Sequence, residues 1–484
     1  MTVTLDGDSL TLGQVERVAR QDEPVVLGAG AVDRMTESRR RVERVLARGD
    51  AVYGMTTGLG ERKRHRVDPD DTVAFNRLLL DSHRVGTGPI VAADLVRATM
   101  LRLANGFAKG TTGVRPMLAE RVVDALNDRR GPPVRMLGSV GEADLAPLAD
   151  LAHDLFADVE LAAKEGLALV NNNAFSTGMA ALALVDTRRL VETMTVAGAL
   201  DLEAFAANLT ILDPLVARVR PYGGLSAESD RLRAALKGSH LWGARVARNL
   251  QDPLSYRSIA HVHGAARDAL TYAEQQMAVE LNAHDSNPLV HLDEDRILSA
   301  AAFEALPVAG ALDFVRLALA PALTGCLERT VKLLQAPISG LPSGLATPGT
   351  GGQGGLAEFS WVLHAMTVEA RLLAQPVSFE LATTTTEEGI ADRVSMAPLA
   401  ARRLAEQIDL GWRILAVGLV CATLAVDLRN PPALGETTGQ VRALVRDRVP
   451  VGPGAPFPAD LEPVVALVRS GALADVLDRA SSPE

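Results

Sequence analysis

Four long runs of almost continuously apolar, alanine-rich sequence constrain the fold of this chain more than any other feature. They cover residues 177–212, 308–334, 356–374 and 398–428. Aromatic residues make up only 4% of the chain, so Ala, Leu and Val must fill the core, and these side chains favour helices over sheets. Helices that are apolar on more than one face must be buried on several sides. We therefore expect a mainly α-helical protein with a long helical bundle, a pattern typical of an oligomer core.

Charge and cysteine content narrow the class of protein. The 484-residue chain has a net charge of −10, which argues against a nucleic acid or an anionic membrane as a partner. Cys326 and Cys421 lie in apolar helical stretches and fit buried thiols in a reducing compartment. The N-terminus has no signal pattern, and the longest uncharged apolar run, 414–426, is too short to span a bilayer. We expect a cytoplasmic protein without membrane contact.

The stretch from Arg135 to Leu155 predicts a helix N-terminus with two unusual residues in front of it. Asp144 is a favourable N-cap residue, and apolar side chains then recur at helical spacing. Glu142 and Ala143 therefore stand just before the helix, where backbone N–H groups and the helix dipole favour negative charge. We expect this position to favour the carboxylate form of Glu142.

Two further segments carry polar residues in settings that suit a site. The loop from Tyr53 to Gly60, YGMTTGLG, has three glycines in eight residues, which demands unusual backbone angles or close packing. It lacks the spacing of a phosphate-binding loop. His83 ends the next predicted helix, a place where a lone histidine is more often structural than catalytic. A metal site is not expected, because His261 and His263 are two residues apart on a predicted helix and point to different faces.

Taken together, the motifs resemble the histidine and aromatic amino-acid ammonia-lyases and aminomutases from end to end. The resembling segments are YGMTTGLG, LLLDSHRVGTG, NGFAKGTTGVR, GSVG with DLAPLA, EGLALVN, QDP followed by Arg257, and ELNA with NPLV. The resemblance implies an ammonia-lyase-like, mainly α-helical fold. It also implies a homotetramer whose sites are shared between subunits and bind a small-molecule substrate.

The resemblance implies a cofactor that this sequence does not spell out. Family members cyclise an Ala-Ser-Gly tripeptide, between GSVG and DLAPL, into a methylidene-imidazolone (MIO) electrophile. In this chain Glu142 and Ala143 hold that place, with no serine to dehydrate and no glycine to close the ring. We therefore expect no cofactor. An alternative is that Ala143 records a preformed cofactor as one letter, with Glu142 as an insertion.

The remaining site residues are carried over from the resemblance position by position. Tyr53 matches the catalytic base, and Glu142 is the candidate partner. The expected substrate-binding residues are His83, Asn171, Arg257, Gly60 and Phe303. Leu254 stands where the family has a second tyrosine, and Tyr256, two residues on, is rotated by roughly 200° on a helix and is no obvious substitute.

Three interpretations of function stay open. The main one is a lyase that needs no electrophile and performs acid–base elimination, conjugate addition or cyclisation with Tyr53 as base. The second is a non-catalytic binding or regulatory homologue. The third is a true MIO-dependent amino-acid ammonia-lyase or aminomutase. In each case we expect an N-terminal domain, residues 1–190, with the Tyr53 loop and the GSVGEADLAPLA segment. A bundle domain, 191–484, would follow, its last helices lying beyond a Pro/Gly-rich linker at 449–458.

Overall fold

The computed structural model describes residues 2–346, 355–379, 389–450 and 457–481, and it is mainly helical, which confirms the expected fold class. The chain divides into two compact units, each assembled from several stretches. The first unit is Met1–Val185, Ala273–Asp313 and Pro376–Arg402; the second is Asp186–Tyr272, Phe314–Gln375 and Arg403–Glu484. The expected domain boundary at residue 190 stays a prediction, and residues 451–456 of the expected linker lie outside the described residues.

The first unit combines helices with three small two-stranded sheets. Val3–Leu5 pairs in parallel with Val25–Leu27, Thr87–Ile90 pairs antiparallel with Arg135–Leu137, and Leu289–Val290 pairs antiparallel with Ile297–Leu298. Its own helices are Leu12–Gln21, Ala29–Arg48, Thr72–Ser82, Ala93–Ala108, Pro116–Asn127, Leu145–Leu155 and Glu165–Val170, with short 3₁₀ turns at Gly60–Arg62 and Pro69–Asp71.

A small hydrophobic core in this unit fixes the base of the Tyr53 loop. The Ala29–Arg48 helix turns Val42 and Val45 inward, and they cluster with Val52, Met55, Ala163 and Val290. Arg44 of this helix is exposed and forms an ion pair with Asp295 at 2.9 Å, whereas Arg39 is buried and donates to the carbonyl of Ala163 at 3.0 Å. Because Val52 and Met55 are buried on either side of Tyr53, the loop that carries the tyrosine is anchored at its start.

Four long helices contribute residues to both units, and three of them overlap the predicted apolar runs 177–212, 308–334 and 398–428; Ile259–Glu280 lies outside those runs. These helices are Ala174–Phe205, Ile259–Glu280, Leu306–Leu333 and Ala397–Arg429. The other helices of the second unit are Pro214–Val219, Gly223–Ala235, Leu254–Arg257, Ala336–Ser339, Phe359–Leu372, Glu436–Arg448, Glu462–Arg469 and Ala472–Ser481, and its 3₁₀ turns are Leu209–Leu212, His240–Trp242 and Ser343–Leu345.

Two of the long helices, Leu306–Leu333 and Ala397–Arg429, are long and apolar enough to cross a membrane. However, 56% and 83% of their most apolar windows are buried inside the protein. Mostly buried core helices of soluble proteins have the same length and composition, so this finding is weak evidence for a membrane protein. The expected absence of membrane contact stays a prediction.

A buried charge network replaces apolar packing at one place in the second unit. Glu228 accepts hydrogen bonds from Arg267 Nε at 2.5 Å and from Thr195 Oγ1 at 2.9 Å, and its other oxygen lies 3.1 Å from His263 Nδ1. The bonds and charges of His263 and Arg267 outweigh the effect of burial and hold the pKa of Glu228 at about 2. His263, for which the sequence analysis expects no metal role, is a partner of this carboxylate. Among the described residues, no group of histidine, cysteine or acidic side chains is placed to hold a metal ion.

Candidate active site

The Tyr53 loop is held in shape by its glycines. Tyr53 is half-buried, and its hydroxyl oxygen accepts a hydrogen bond of 3.0 Å from the backbone N–H of Gly60. Gly54 has φ +65°, and a Cβ there would lie 2.4 Å from Leu167 Cδ2 on the Glu165–Val170 helix. The loop therefore packs directly against that helix, and an N–H donor points at the Tyr53 oxygen.

His83 lies at the end of the Thr72–Ser82 helix, as the sequence predicts. Its Nδ1 is 2.7 Å from the carbonyl oxygen of Leu79. A carbonyl oxygen can only accept, so Nδ1 carries the hydrogen and the neutral ring presents Nε2 as an acceptor. His83 is half-buried, and the bond to its own helix orients the ring.

The turn at Glu142 and Ala143 is the most constrained part of the site. Ala143 is buried with φ +63°, and its N–H donates to Asn173 Oδ1 at 3.1 Å. The Asn173 side-chain amide also donates to the carbonyl of Phe303, and the backbone of Glu142 forms a bridge with Glu304. One carboxylate oxygen of Glu142 is buried. Asn173 therefore joins the turn to the segment that carries Phe303.

Asn171, one of the expected substrate-binding residues, does not bond to the turn through its side chain. Its side-chain amide donates to the carbonyl of Asn287 at 2.8 Å, just before Pro288. The amide of Asn172 caps its own helix by bonding the carbonyl of Ala168 at 2.9 Å. Among the side chains of the three adjacent asparagines, that of Asn173 bonds to the backbone of Ala143, while the carbonyl of Asn172 accepts from the N–H of Asp144 at 2.8 Å. Sequence reasoning missed Asn173, because the triplet itself does not say which amide points where.

The side chain of Asp144 has a different role from the one expected. Asp144 is the N-cap residue of the Leu145–Leu155 helix, as the sequence predicts, but its side chain makes no capping hydrogen bond. The carboxylate instead points inward and accepts from Ser139 Oγ at 2.7 Å, Ser176 Oγ at 2.6 Å and Ser176 N at 2.7 Å. Burial raises the pKa of Asp144 to about 6, although the bonds from Ser176 and Ser139 act in the opposite direction. Through these hydrogen bonds, Ser139 and Ser176 hold Asp144, the residue that follows the turn.

Arg257 belongs to the second unit. It ends the short Leu254–Arg257 helix, and its Nε donates to the carbonyl of Asp252 at 2.7 Å. Leu254 is 67% exposed, whereas Tyr256 is fully buried and donates its hydroxyl to the carbonyl of Arg329 at 2.9 Å. Tyr256 thus serves the core, in agreement with the expectation that it does not replace a tyrosine at position 254.

Comparison with known proteins places the chain in a family. A family model described as aromatic amino acid lyase matches residues 10–160 and 154–447. The histidine ammonia-lyase of Caldanaerobacter subterraneus subsp. tengcongensis is 30% identical, and the match covers 98% of each chain. The chain therefore belongs to the aromatic amino acid lyase family.

Solved structures agree with this assignment. Tyrosine aminomutase from Streptomyces globisporus matches with a TM-score of 0.92 at 28% identity over 100% of both chains. The ergothioneine-degrading enzyme ergothionase from Treponema denticola, solved with desmethyl-ergothioneine sulfonic acid, matches with a TM-score of 0.92 at 27% identity. That match covers 98% of this chain and 99% of that one.

These relatives overturn the expectation that no cofactor is involved. Histidine ammonia-lyases and tyrosine aminomutase belong to the MIO-dependent family, so the prediction of a cofactor-free protein is wrong on this comparison. The relatives support a histidine or aromatic amino-acid ammonia-lyase function.

The residues at the turn do not by themselves fit the MIO group. Glu142 and Ala143 offer neither a serine hydroxyl to lose nor a glycine amide to close a ring. Ala143 does have the buried, left-handed backbone of a tightly held turn. We therefore derive no step through the MIO and consider only what the residues of this chain do.

Proposed function

We propose that this protein is an amino-acid ammonia-lyase or aminomutase that acts on a substrate with an imidazole or aromatic ring. The relatives favour this MIO-dependent alternative over a lyase that works without an electrophile. When present, the MIO supplies an electron-poor centre that activates the substrate. Family members act on small molecules and are typically homo-oligomers, and we extend this to a cytoplasmic homotetramer with shared sites.

The observation that carries the proposal is the setting of Tyr53. The Gly60 N–H at 3.0 Å stabilises negative charge on the phenol oxygen, which is what a tyrosine needs in order to accept a proton. Tyr53 takes a proton from the substrate β-carbon. The electrons of that C–H bond form the double bond as the α-carbon–nitrogen bond breaks. The protonated amine, –NH3+, keeps the electron pair of the broken bond and leaves as ammonia.

Other residues receive roles in the same proposal. Glu142 provides the negative charge beside the substrate amine, and Arg257 pairs with the substrate carboxylate. His83, Asn171, Gly60 and Phe303 contribute to substrate binding. The Nε2 of His83 is an acceptor for an N–H or O–H of the substrate. These roles follow from the resemblance and from the local bonding of each residue.

The test is a substrate panel of histidine, phenylalanine, tyrosine and ergothioneine, with release of amine and formation of the unsaturated acid both measured. Ergothioneine is included because the treponemal neighbour degrades it. The Tyr53→Phe variant should lose roughly 10²–10⁴-fold in kcat with little change in stability, since it lacks only the proton acceptor. The matched control is Tyr272→Phe, the same chemical change at a half-exposed site in the second unit.

Two outcomes would contradict the proposal. One is that no compound of the panel reacts, and the other is that Tyr53→Phe reacts as fast as the unmodified protein. Treatment with borohydride separates the mechanisms: activity that depends on an electrophile should be lost, while activity that survives would favour acid–base elimination alone.

A further inference from the structure

The first unit contains a buried lysine, Lys164, next to Ala163 of the core cluster at the start of the Tyr53 loop. Lys164 is 1% exposed, and among the residues that the structure describes its Nζ has no hydrogen-bond partner. The adjacent acid, Glu165, is bonded to Arg115 at 2.7 Å instead. The nearby Arg39 guanidinium adds a further positive charge and donates to the carbonyl of Ala163 at 3.0 Å.

A buried histidine, His284, has its pKa lowered by burial, and Lys164 lies close enough for the lysine charge to act in the same direction. His284 bonds through Nδ1 to Thr111 Oγ1 at 2.7 Å, while its buried Nε2 has no partner among the described residues. The segment that starts at Thr111 passes beside the lysine, since a Cβ on Gly113 would lie 3.7 Å from Lys164 Cδ. The same segment therefore contacts both side chains.

A third group flanks the histidine from the Ala93–Ala108 helix. Arg102 is 1% exposed, and its Nη2 bonds to the carbonyl of Ala283 and to Asp285 Oδ2, both at 3.0 Å. Its Nε and Nη1 have no partner in the described part of the chain. Asp285 also accepts from the Asn173 N–H at 3.2 Å, so this acid is already engaged twice.

Buried polar groups are normally hydrogen-bonded, and a buried positive charge is normally paired. Three separate elements of the first unit bring nitrogen atoms that lack partners among the described residues to the surroundings of one histidine. Two acids lie near Arg102: Asp285 is bonded to it, and Glu280 is buried, which raises its pKa to about 7. We propose that Lys164, His284 and Arg102 form a buried binding site for a small anion, of the size of chloride or formate.

Protonation decides when the site binds. Burial, together with the Arg39 guanidinium, lowers the pKa of Lys164 to about 7, and burial lowers the pKa of His284 to about 4. The histidine is therefore neutral above pH 6. Lys164 and Glu280, whose pKa burial raises to about 7, both change charge near neutral pH. Lowering the pH protonates both groups and makes the surroundings more positive, so the anion binds more tightly below pH 7 than above it.

The test measures thermal unfolding of the full-length protein at constant ionic strength, with sodium gluconate replaced stepwise by chloride or formate. A site ligand at about 100 times its Kd should raise the Tm by several degrees at pH 6.5 and by much less at pH 9. A response to chloride alone indicates a halide site, and a response to formate indicates a carboxylate site. Equal Tm values in all three salts would overturn the proposal.

Variants and diffraction make the test specific. Lys164→Met keeps the apolar stem and should abolish the anion response, whereas Lys237→Met, at a lysine that is 69% exposed, should keep it. An anion response that survives in Lys164→Met contradicts the site. If that variant does not fold, bromide-soaked crystals of the unmodified protein decide: an anomalous peak beside Lys164 Nζ supports the site, and its absence refutes it.

Discussion

At the scale of single residues, buried polar side chains hold the turn at Ala143 in place. Asn173 holds the N–H of Ala143, and Asp144 collects three hydrogen bonds from Ser139 and Ser176. Removing a carboxylate from water is unfavourable, so burial raises the pKa of Asp144 from the usual 3.8 to about 6. This residue therefore makes stability depend on pH in a definite direction.

Because the folded pKa of Asp144 is above the unfolded one, the folded state prefers the protonated acid. Its contribution to stability is full below pH 4 and is lost as the pH rises through 6. The loss amounts to roughly 3 kcal/mol. Asp144→Asn cannot ionise, so we expect its free energy of unfolding, relative to the unmodified protein, to rise by about that amount between pH 4 and 7.

Urea unfolding at fixed protein concentration, repeated at each pH, measures this difference. The control is Asp124→Asn, an exposed change on the Pro116–Asn127 helix, which should show a flat difference. A flat profile for Asp144→Asn as well would mean that the carboxyl group is not strained by its burial.

At the scale of elements, glycine backbones decide how closely the segments of the site approach each other. Gly141 has φ +81°, and a Cβ there would lie 2.3 Å from Ser395 Oγ and 2.9 Å from the backbone nitrogen of Ala397. The Ser395 hydroxyl also donates to the Gly141 carbonyl at 2.7 Å. The turn before Glu142 is thus pressed against the segment that starts the Ala397–Arg429 helix.

Gly141→Ala should therefore destabilise the protein and disturb the site together. Gly49→Ala is the matched control, since Gly49 has φ +72° but nothing within 4 Å of its added Cβ. The control should lose about 1–2 kcal/mol of unfolding free energy for the left-handed backbone alone. Gly141→Ala should lose about 1–3 kcal/mol more from overpacking, with a lower kcat. Equal losses in the two variants would show that the segments can move apart.

At the scale of the whole molecule, the extended apolar surfaces of the long helices fit assembly into an oligomer. Phe314 and Leu317 on one of these helices are each 47% exposed, and Trp361 is 74% exposed. We expect a homotetramer with four times the 51.1 kDa mass of the chain. Light scattering coupled to size-exclusion chromatography measures this mass, and a stable monomer at micromolar concentration would contradict the expectation.

The fold was largely predictable, because its cause is local. The run 398–428 agrees closely with the helix Ala397–Arg429, whereas the run 177–212 extends past the end of Ala174–Phe205, and the helix Ile259–Glu280 lies in none of the runs. The positions of Tyr53 on a glycine loop and of His83 at a helix end were also predictable. The inward turn of Asp144 was not, because an N-cap and a buried acceptor look alike in sequence.

The sequence by itself determined the helical architecture, the family and the residue types at each motif, since periodicity and spacing are properties of neighbouring residues. Only the tertiary structure decided which of three asparagines holds Ala143, where the Asp144 carboxylate points, and that Lys164 is buried without a hydrogen-bond partner among the described residues. These contacts join residues that are far apart in the sequence: the side chain of Asn173 bonds to the carbonyl of Phe303, 130 positions away. Hydrogen-bond choice in a buried site is set by which distant segments pack there, and no local pattern records it.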